Sequence, residues 1–255
     1  MNVYGMSDRG AYRAENEDFF AVSVLESPPR IKGIRKREKN AVLAVVCDGM
    51  GGSLGGEIAS RLAGESIEER MRGEMSTDAL LALTHALDSA NRAVYSRAKE
   101  DESLRGMGTT VAAAVAYENM LAILSVGDSR IYLWHDGRLL LLTHDHSYVQ
   151  SLVDAGQISA EEARRSAHKN LITRAVGIST RVEGDTAYCF WEKGDKLLLC
   201  TDGLTGAMSE GELSLLLSAD ESAEDTVKAL IKRATENGSK DNVTALLLVN
   251  TKENQ

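Results

Sequence analysis

Residues 41–49 read AVLAVVCDG: seven apolar residues, then aspartate and glycine. This is an apolar strand that ends abruptly, because Asp-Gly is a strong turn signal. The grammar recurs in LAILSVG (121–127) before Asp128-Ser129 and in KLLLCT (196–201) before Asp202-Gly203. Two further carboxylate groups stand at strand starts. Asp241 lies in SKDN ahead of VTALLLV, and Asn16-Glu17-Asp18 precedes Phe19-Phe20.

Working outward, short β-like runs dominate the chain. They cover residues 2–6, 19–24, 41–47, 110–117, 121–126, 130–135, 139–142, 184–190, 196–200 and 243–249. Spacers such as Glu118-Asn119 and Asp136-Gly137 have hairpin length, so neighbouring strands are expected to be mostly antiparallel. Helical periodicity fills the gaps. Residues 79–99 place Leu80, Leu83, Leu87, Ala90 and Val94 on one stripe, and residues 55–72 do the same with Ala59, Leu62, Ala63, Ile67 and Met71. Capping signatures open further helices at Ser159/Glu162, Ser209/Glu212 and Ser222/Asp225. A helix with one apolar stripe needs a sheet or another helix to cover it, so the pattern reads as an α+β layered sandwich.

The chain has 255 residues, 43% hydrophobic and 26% charged, which fits a globular protein with a large core. No linker, repeat or low-complexity tract divides it, so a single domain over residues 1–255 is expected. Its formal charge of −9 argues against general binding to nucleic acid. The apolar runs are far shorter than the about 20 residues of a membrane span. The opening MNVYGMSDRG has no basic region followed by an apolar stretch, and no signal peptide is expected. Three cysteines, Cys47, Cys189 and Cys200, cannot form a disulfide framework, so a reduced, cytoplasmic chain is expected. Residues 30–40, RIKGIRKREKN, carry six basic residues and one acid in an otherwise acidic chain. They read as a solvated loop, or as a docking surface for an acidic or phosphorylated partner.

Each Asp-Gly alone is a turn. Five carboxylate sites at strand ends acquire another meaning if those ends meet, because converging carboxylates repel and need cations to stay ionised. All-oxygen donors select hard divalent ions, Mg²⁺ or Mn²⁺, over zinc. A carboxylate shared by two ions would hold them close enough to clamp one water. Arg13, five residues before Asp18, has a guanidinium fork suited to two phosphate oxygens. His144 and His146 have no cysteine or third histidine beside them, which argues against a zinc site. The glycines of GMGGSLGG match no dinucleotide-binding spacing.

Eight strings, SDRGAYRAENED, VCDGMGGSLGGEIAS, GTT, VGDSRIYL, LTHDHS, NLITRAVG, LCTDGL and SKDNVTALLLV, stand in the order found in type 2C protein phosphatases. The resemblance is to the compact bacterial form of these metal-dependent Ser/Thr phosphatases, and it spans Ser7 to about Val249. It implies a four-layer α-β-β-α sandwich, two antiparallel sheets flanked by helices, with a binuclear Mn²⁺/Mg²⁺ site at one end. By motif, Asp48 matches the bridging ligand and Gly49 offers its carbonyl. Asp18, Asp202 and Asp241 match the remaining ligands, and Glu17 acts through water. Asp128 with Asp202 resembles the pair that holds a third, weaker ion. Arg13 matches the phosphate-binding arginine, and residues 147–170 correspond to a flap over the cleft. The implied reaction is hydrolysis of phosphoserine and phosphothreonine in proteins by a metal-activated bridging water, with no covalent phosphoenzyme. The implied partners are phosphorylated proteins, including a Ser/Thr kinase or its substrates.

Two departures from the family pattern stand out. Met50 occupies the position where many eukaryotic members carry a histidine thought to protonate the leaving group, so a metal-bound water is expected in that role. Ser166-Ala167 stands where bacterial members often have His-Pro. Two other functions share the motif set: a phosphatase of small phosphate esters, and an inactive sensor that binds phosphoproteins or metal.

Overall fold

The computed structural model describes residues 1–33, 39–51, 55–74 and 78–251. Arg35, Lys36 and Arg37 of the basic segment, and residues 52–54 of the glycine-rich run, lie outside the described residues.

Among the described residues eleven strands and seven α-helices follow one another: β1 (Asn2–Asp8), β2 (Asp18–Glu26), β3 (Asn40–Met50), α1 (Gly55–Gly73), α2 (Ala79–Glu100), β4 (Gly108–Thr109), β5 (Val111–Ala116), β6 (Met120–Val126), β7 (Arg130–His135), β8 (Arg138–Leu141), α3 (Tyr148–Asp154), α4 (Ala160–Arg165), β9 (Asp185–Phe190), β10 (Lys196–Cys200), α5 (Asp202–Thr205), α6 (Glu210–Ser218), α7 (Ala223–Glu236) and β11 (Val243–Val249). One sheet runs β1-β11-β10-β7-β8. The other runs β2-β3-β5-β6-β9, with β4 added beside β3. All pairings between these strands are antiparallel.

Three apolar layers hold the sheets and helices together. Between the sheets lie Ala44, Val46, Ala112, Ala114, Leu121, Ile131, Leu199 and Leu246, with Trp191 at 1% exposure. Leu43, Val45, Cys47, Val111, Ala113 and Val115 face the other way, onto Ala59, Ile67, Leu83 and Leu87 of α1 and α2. On the opposite flank Leu198, Cys200, Ala245 and Leu247 meet Leu213, Val227, Leu230 and Ile231 of α6 and α7. The architecture is therefore the expected α-β-β-α sandwich. It explains why the strands read as unbroken apolar runs: β5, β6 and β10 are covered on both faces, so nothing alternates. The edge strand β2 keeps the period-two pattern along its second half.

The hairpins and caps follow their local chemistry. Asp136 and Gly137 both take positive φ, 46° and 74°, as a two-residue turn between β7 and β8 requires. Ser159/Glu162 and Ser209/Glu212 form reciprocal capping boxes. The differences from the sequence reading are at two strand ends and in one short helix. β3 does not stop at Cys47 but continues through Asp48 to Met50, because β4 pairs with it there, Gly49 opposite Thr109 and Met50 opposite Gly108. Asp202 opens the short helix α5 instead of a turn. Helix α3, capped by the Ser147 hydroxyl, was not expected. It buries Val149 alone, so it carries no periodic stripe. Among the described residues no helix is long and apolar enough to cross a membrane.

Candidate metal centre

The strand ends carrying the aspartates meet at one end of the sandwich. The β2–β3 ladder puts Asp18 directly opposite Asp48. Asp202 follows β10 and Asp241 precedes β11, which are neighbours in the other sheet. Arg13, Glu17, Asp48, Gly49, Asp128, Asp202 and Asp241 line one cavity of about 420 Å³, with Met50, Asn170 and Ile172 among its other walls. Asp18 does not line the cavity. Its Oδ2 accepts hydrogen bonds from the Thr201 hydroxyl at 2.9 Å and the Thr244 hydroxyl at 2.6 Å.

Backbone contacts set these positions. The Thr110 hydroxyl accepts from the Asp48 N–H at 3.0 Å, and the Asp48 carbonyl accepts from the Thr110 N–H at 2.9 Å and the Thr109 hydroxyl at 2.8 Å. Thr110 also meets the Ser129 hydroxyl at 2.6 Å, tying the Asp48 strand to the Asp128 turn. Asn242, 3% exposed, accepts from the Glu17 N–H at 2.9 Å and donates to the carbonyls of Arg9 and Glu15, each at 2.9 Å. One amide thereby anchors the loop that bears Arg13 and Glu17 to the Asp241 strand. Gly203 allows this approach, since a Cβ there would strike the Asn242 carbonyl.

The electrostatics are those of crowded, dehydrated acids. Burial first, then the charges of Asp202 and Asp241, pushes the Asp18 carboxyl up to about 7 despite its two hydroxyl donors. Burial and the neighbouring aspartates hold Asp48 well above the usual carboxylate range. Asp128 is pushed up to about 8, by burial and then by Asp202 and Asp145. Asp202 is raised by burial and Asp241, and it stands close enough to Asp48 for one carboxyl to donate to the other. Glu17 is raised by burial as well.

Two buried oxygens, Asp128 Oδ1 and Asp202 Oδ1, have no hydrogen-bond partner. Unpaired buried carboxylate oxygens are costly unless a cation reaches them, and an all-oxygen set of this kind fits Mg²⁺ or Mn²⁺. Among the described residues, no three His, Cys, Asp or Glu side chains are arranged to hold an ion as they stand. Arg13 Nη2 donates to Asp241 Oδ2 at 2.6 Å and Nη1 lies 3.9 Å from Glu17, while Asp18 is turned to its threonines. The carboxylates converge at one end of the sandwich.

A pH dependence follows. The folded, metal-free protein retains protons on Asp18 and Asp128 that the unfolded chain releases near pH 4. Their stabilising contribution is complete below that pH and is lost as pH rises through about 7 and about 8. Thermal melts in EDTA should show a falling midpoint from pH 5.5 to 8.5, and Asp128→Asn should flatten the fall. An equal fall in both proteins rejects this origin.

Sequence reading grouped Arg13, Glu17, Asp18, Asp48, Gly49, Asp128, Asp202 and Asp241, and the structure brings them to one end. The two histidines part company: His144 pairs with Asp154 at 2.8 Å near the surface, and His146 is buried. Cys47 and Cys200 are buried in the apolar layers. Thr110, Ser129, Thr201, Asn242 and Thr244 were not singled out. The available signal was a small polar residue set in or beside an apolar strand, next to each aspartate motif.

The protein phosphatase 2C family profile matches residues 31–248. The serine/threonine phosphatase stp of Listeria welshimeri is 34% identical over 255 residues, covering 97% of this chain and 95% of that one. The crystal structure of the serine/threonine phosphatase Stp1 from Staphylococcus aureus superposes with a TM-score of 0.85 at 34% identity, covering 96% of this chain and 93% of that one. The catalytic domain of the serine/threonine protein phosphatase PstP, solved in complex with two manganese ions, superposes with a TM-score of 0.81 at 34% identity and covers 96% of both chains.

Proposed function

The chain belongs to the protein phosphatase 2C family and is a metal-dependent serine/threonine protein phosphatase, and from that premise we propose how its residues divide the work. Asp18, Asp48, Asp202, Asp241 and the Gly49 carbonyl would hold two Mn²⁺ or Mg²⁺ ions, with Asp48 as the shared ligand. Glu17 would contribute through water, and Asp128 with Asp202 would hold a third, weaker ion. Ions held there would supply an acidified water for attack and positive charge against the phosphoryl oxygens. The observation that carries this reading is the Asp18–Asp48 register with Asp202, Asp241 and Asp128 gathered beside it, two of their buried oxygens unpaired.

Arg13 binds two oxygens of the phosphomonoester and aligns it for in-line displacement. Its fork is half exposed and lies against the Asp241 carboxylate, so it is already at the rim where the ester arrives. Met50 offers no proton, so water protonates the departing serine or threonine oxygen. The 147–170 flap, with α3 and α4, borders the cavity through Asn170 and shapes access to it. Residues 1–255 act as one catalytic domain. The substrates are phosphorylated Ser/Thr proteins in the cytoplasm, among them a Ser/Thr kinase or its targets.

The test is phosphate release from phosphoserine and phosphothreonine peptides, with Mn²⁺ and with EDTA. Release that depends on Mn²⁺, with kcat/KM above that for sugar phosphates, supports the reading. Metal-independent release, or preference for the sugar phosphates, overturns it. Within this scheme Arg13→Ala should lower kcat/KM for an aryl phosphate by about 10²-fold, the scale expected for losing one preorganised donor to the phosphoryl group. Arg13→Lys should recover part of that, because a point charge replaces a two-pronged fork. Unchanged kinetics in Arg13→Ala reject the assignment.

A further inference from the structure

The LTHDHS motif has no role in the scheme above, yet its second histidine joins three segments around the site. The side chain of His146 is 6% exposed. Its Nδ1 accepts from the Gly127 N–H at 3.1 Å. A backbone N–H can only donate, so Nδ1 carries the lone pair and the proton sits on Nε2. Nε2 lies 3.2 Å from Asp185 Oδ2. Arg174 Nη1 lies 3.1 Å from the same nitrogen, a donor beside a donor, and its own bonds go to the Glu183 carbonyl and Asp185 Oδ1. The His146 backbone adds two more bonds: its N–H donates to the Gly127 carbonyl at 2.8 Å and its carbonyl accepts from the Thr173 N–H at 2.8 Å.

Gly127 is the residue before Asp128, and its φ of 97° suits glycine; a Cβ there would also run into Thr110. Asp128 is thus reached through a turn with a single strained-for-others conformation, gripped on both polar groups by one histidine. Thr173 closes the far end of the flap, next to the bridge between Ser147 and Ile172 and the Tyr148 N–H to Leu171 carbonyl bond at 2.8 Å. Ile172, which lines the cavity, belongs to that strand-like closure, and Asn170, also on the cavity wall, stands in the turn just before it.

We propose that His146 is a positioning residue, which sets the Gly127–Asp128 turn with its Nδ1 and holds the base of the flap against that turn with its backbone. The inference rests on Asp128 serving the metal-dependent reaction proposed above. It does not ask His146 to touch substrate or metal.

Three variants separate the contacts. Asn places an amide oxygen where Nδ1 sits and keeps the Gly127 bond. Gln extends towards Asp185 and loses the Gly127 bond, and Ala loses both. The expected result is amide exchange at Gly127 about 10-fold faster in His146→Gln and His146→Ala, measured without metal. With saturating Mn²⁺ and an aryl phosphate, kcat in both should fall about 10-fold with KM within about twofold, the usual scale for outer residues that orient a metal site. His146→Asn should restore both readouts to within about threefold of the parent protein. If His146→Ala fails to fold, the Gln and Asn pair carries the comparison. Equal kcat in Gln and Asn, or unchanged Gly127 exchange in Gln, overturns the proposal. Absence of Mn²⁺-dependent hydrolysis in the parent protein would instead overturn the proposed function, and the exchange measurement would still decide the role of His146.

Discussion

Asp48→Asn should reduce Mn²⁺-dependent phosphate release by at least about 10³-fold, a loss of about 4 kcal/mol of transition-state stabilisation. Asp48 is central by position: it faces Asp18 across the ladder, its carboxyl stands against that of Asp202, and both its backbone groups are fixed by the Thr109–Thr110 pair. The amide retains the shape but not the charge, so a folding defect does not explain the loss. Stability gives a second readout with the opposite sign. In EDTA at pH 8 the parent protein holds Asp48 among Asp18, Asp202 and Asp128, where burial and like charges disfavour ionisation. An amide there has no charge to bury and no proton to take up on folding, and each kcal/mol gained raises the midpoint by about 2–4 °C. With Mn²⁺ present the order should reverse, because only the intact site gains from ion binding. A variant that keeps a tenth of the activity, or melts below the parent in EDTA, contradicts this account.

Gly49→Ala should be nearly as damaging, for a backbone reason. A Cβ at Gly49 would collide with the Gly56 carbonyl oxygen at the start of α1 and lie 2.6 Å from the Glu17 carbonyl oxygen. Both obstacles are main chain, so no rotamer change relieves them. The Gly49 N–H also donates to that Glu17 carbonyl at 3.1 Å, and Gly49 pairs with Thr109 in β4. Forcing α1 or the Glu17 loop outward costs about 1–3 kcal/mol of stability. It also shifts the Gly49 carbonyl and Asp48, and a displacement near 1 Å costs about 10²-fold in rate. Gly73→Ala is the control: it sits at the end of α1 with nothing within 4 Å of its Cβ position. Wild-type activity and melting in Gly49→Ala would show that the close packing of strand and helix is not required.

Much of the architecture was legible because burial leaves a periodic trace. Central strands covered on both faces appear as VAAAVA and KLLLC, and the helices over them show one apolar stripe each. Elements with no such trace were missed. β4 is two residues held by pairing with Gly49 and Met50, and α3 buries one side chain. The extension of β3 past Asp48 was invisible for the same reason, since its partner lies about 60 residues away. The candidate ligands were found from the repeated strand-then-aspartate grammar and the family motifs. The residues that hold them were not, because a threonine in an apolar strand has no local mark of its task.

Chemistry carried by residue type and short spacing could be read directly from the chain: carboxylates at five strand ends, an arginine beside one of them, and apolar runs that must be covered on both sides. Folding alone settled the long-range pairings. Asp18 opposite Asp48, Thr244 and Thr201 both bonded to Asp18, and Asn242 bridging Arg9 to Glu17 join residues up to 233 positions apart. Such contacts arise when two sheets pack and their registers lock, which depends on the whole core at once and leaves no signature within any single segment.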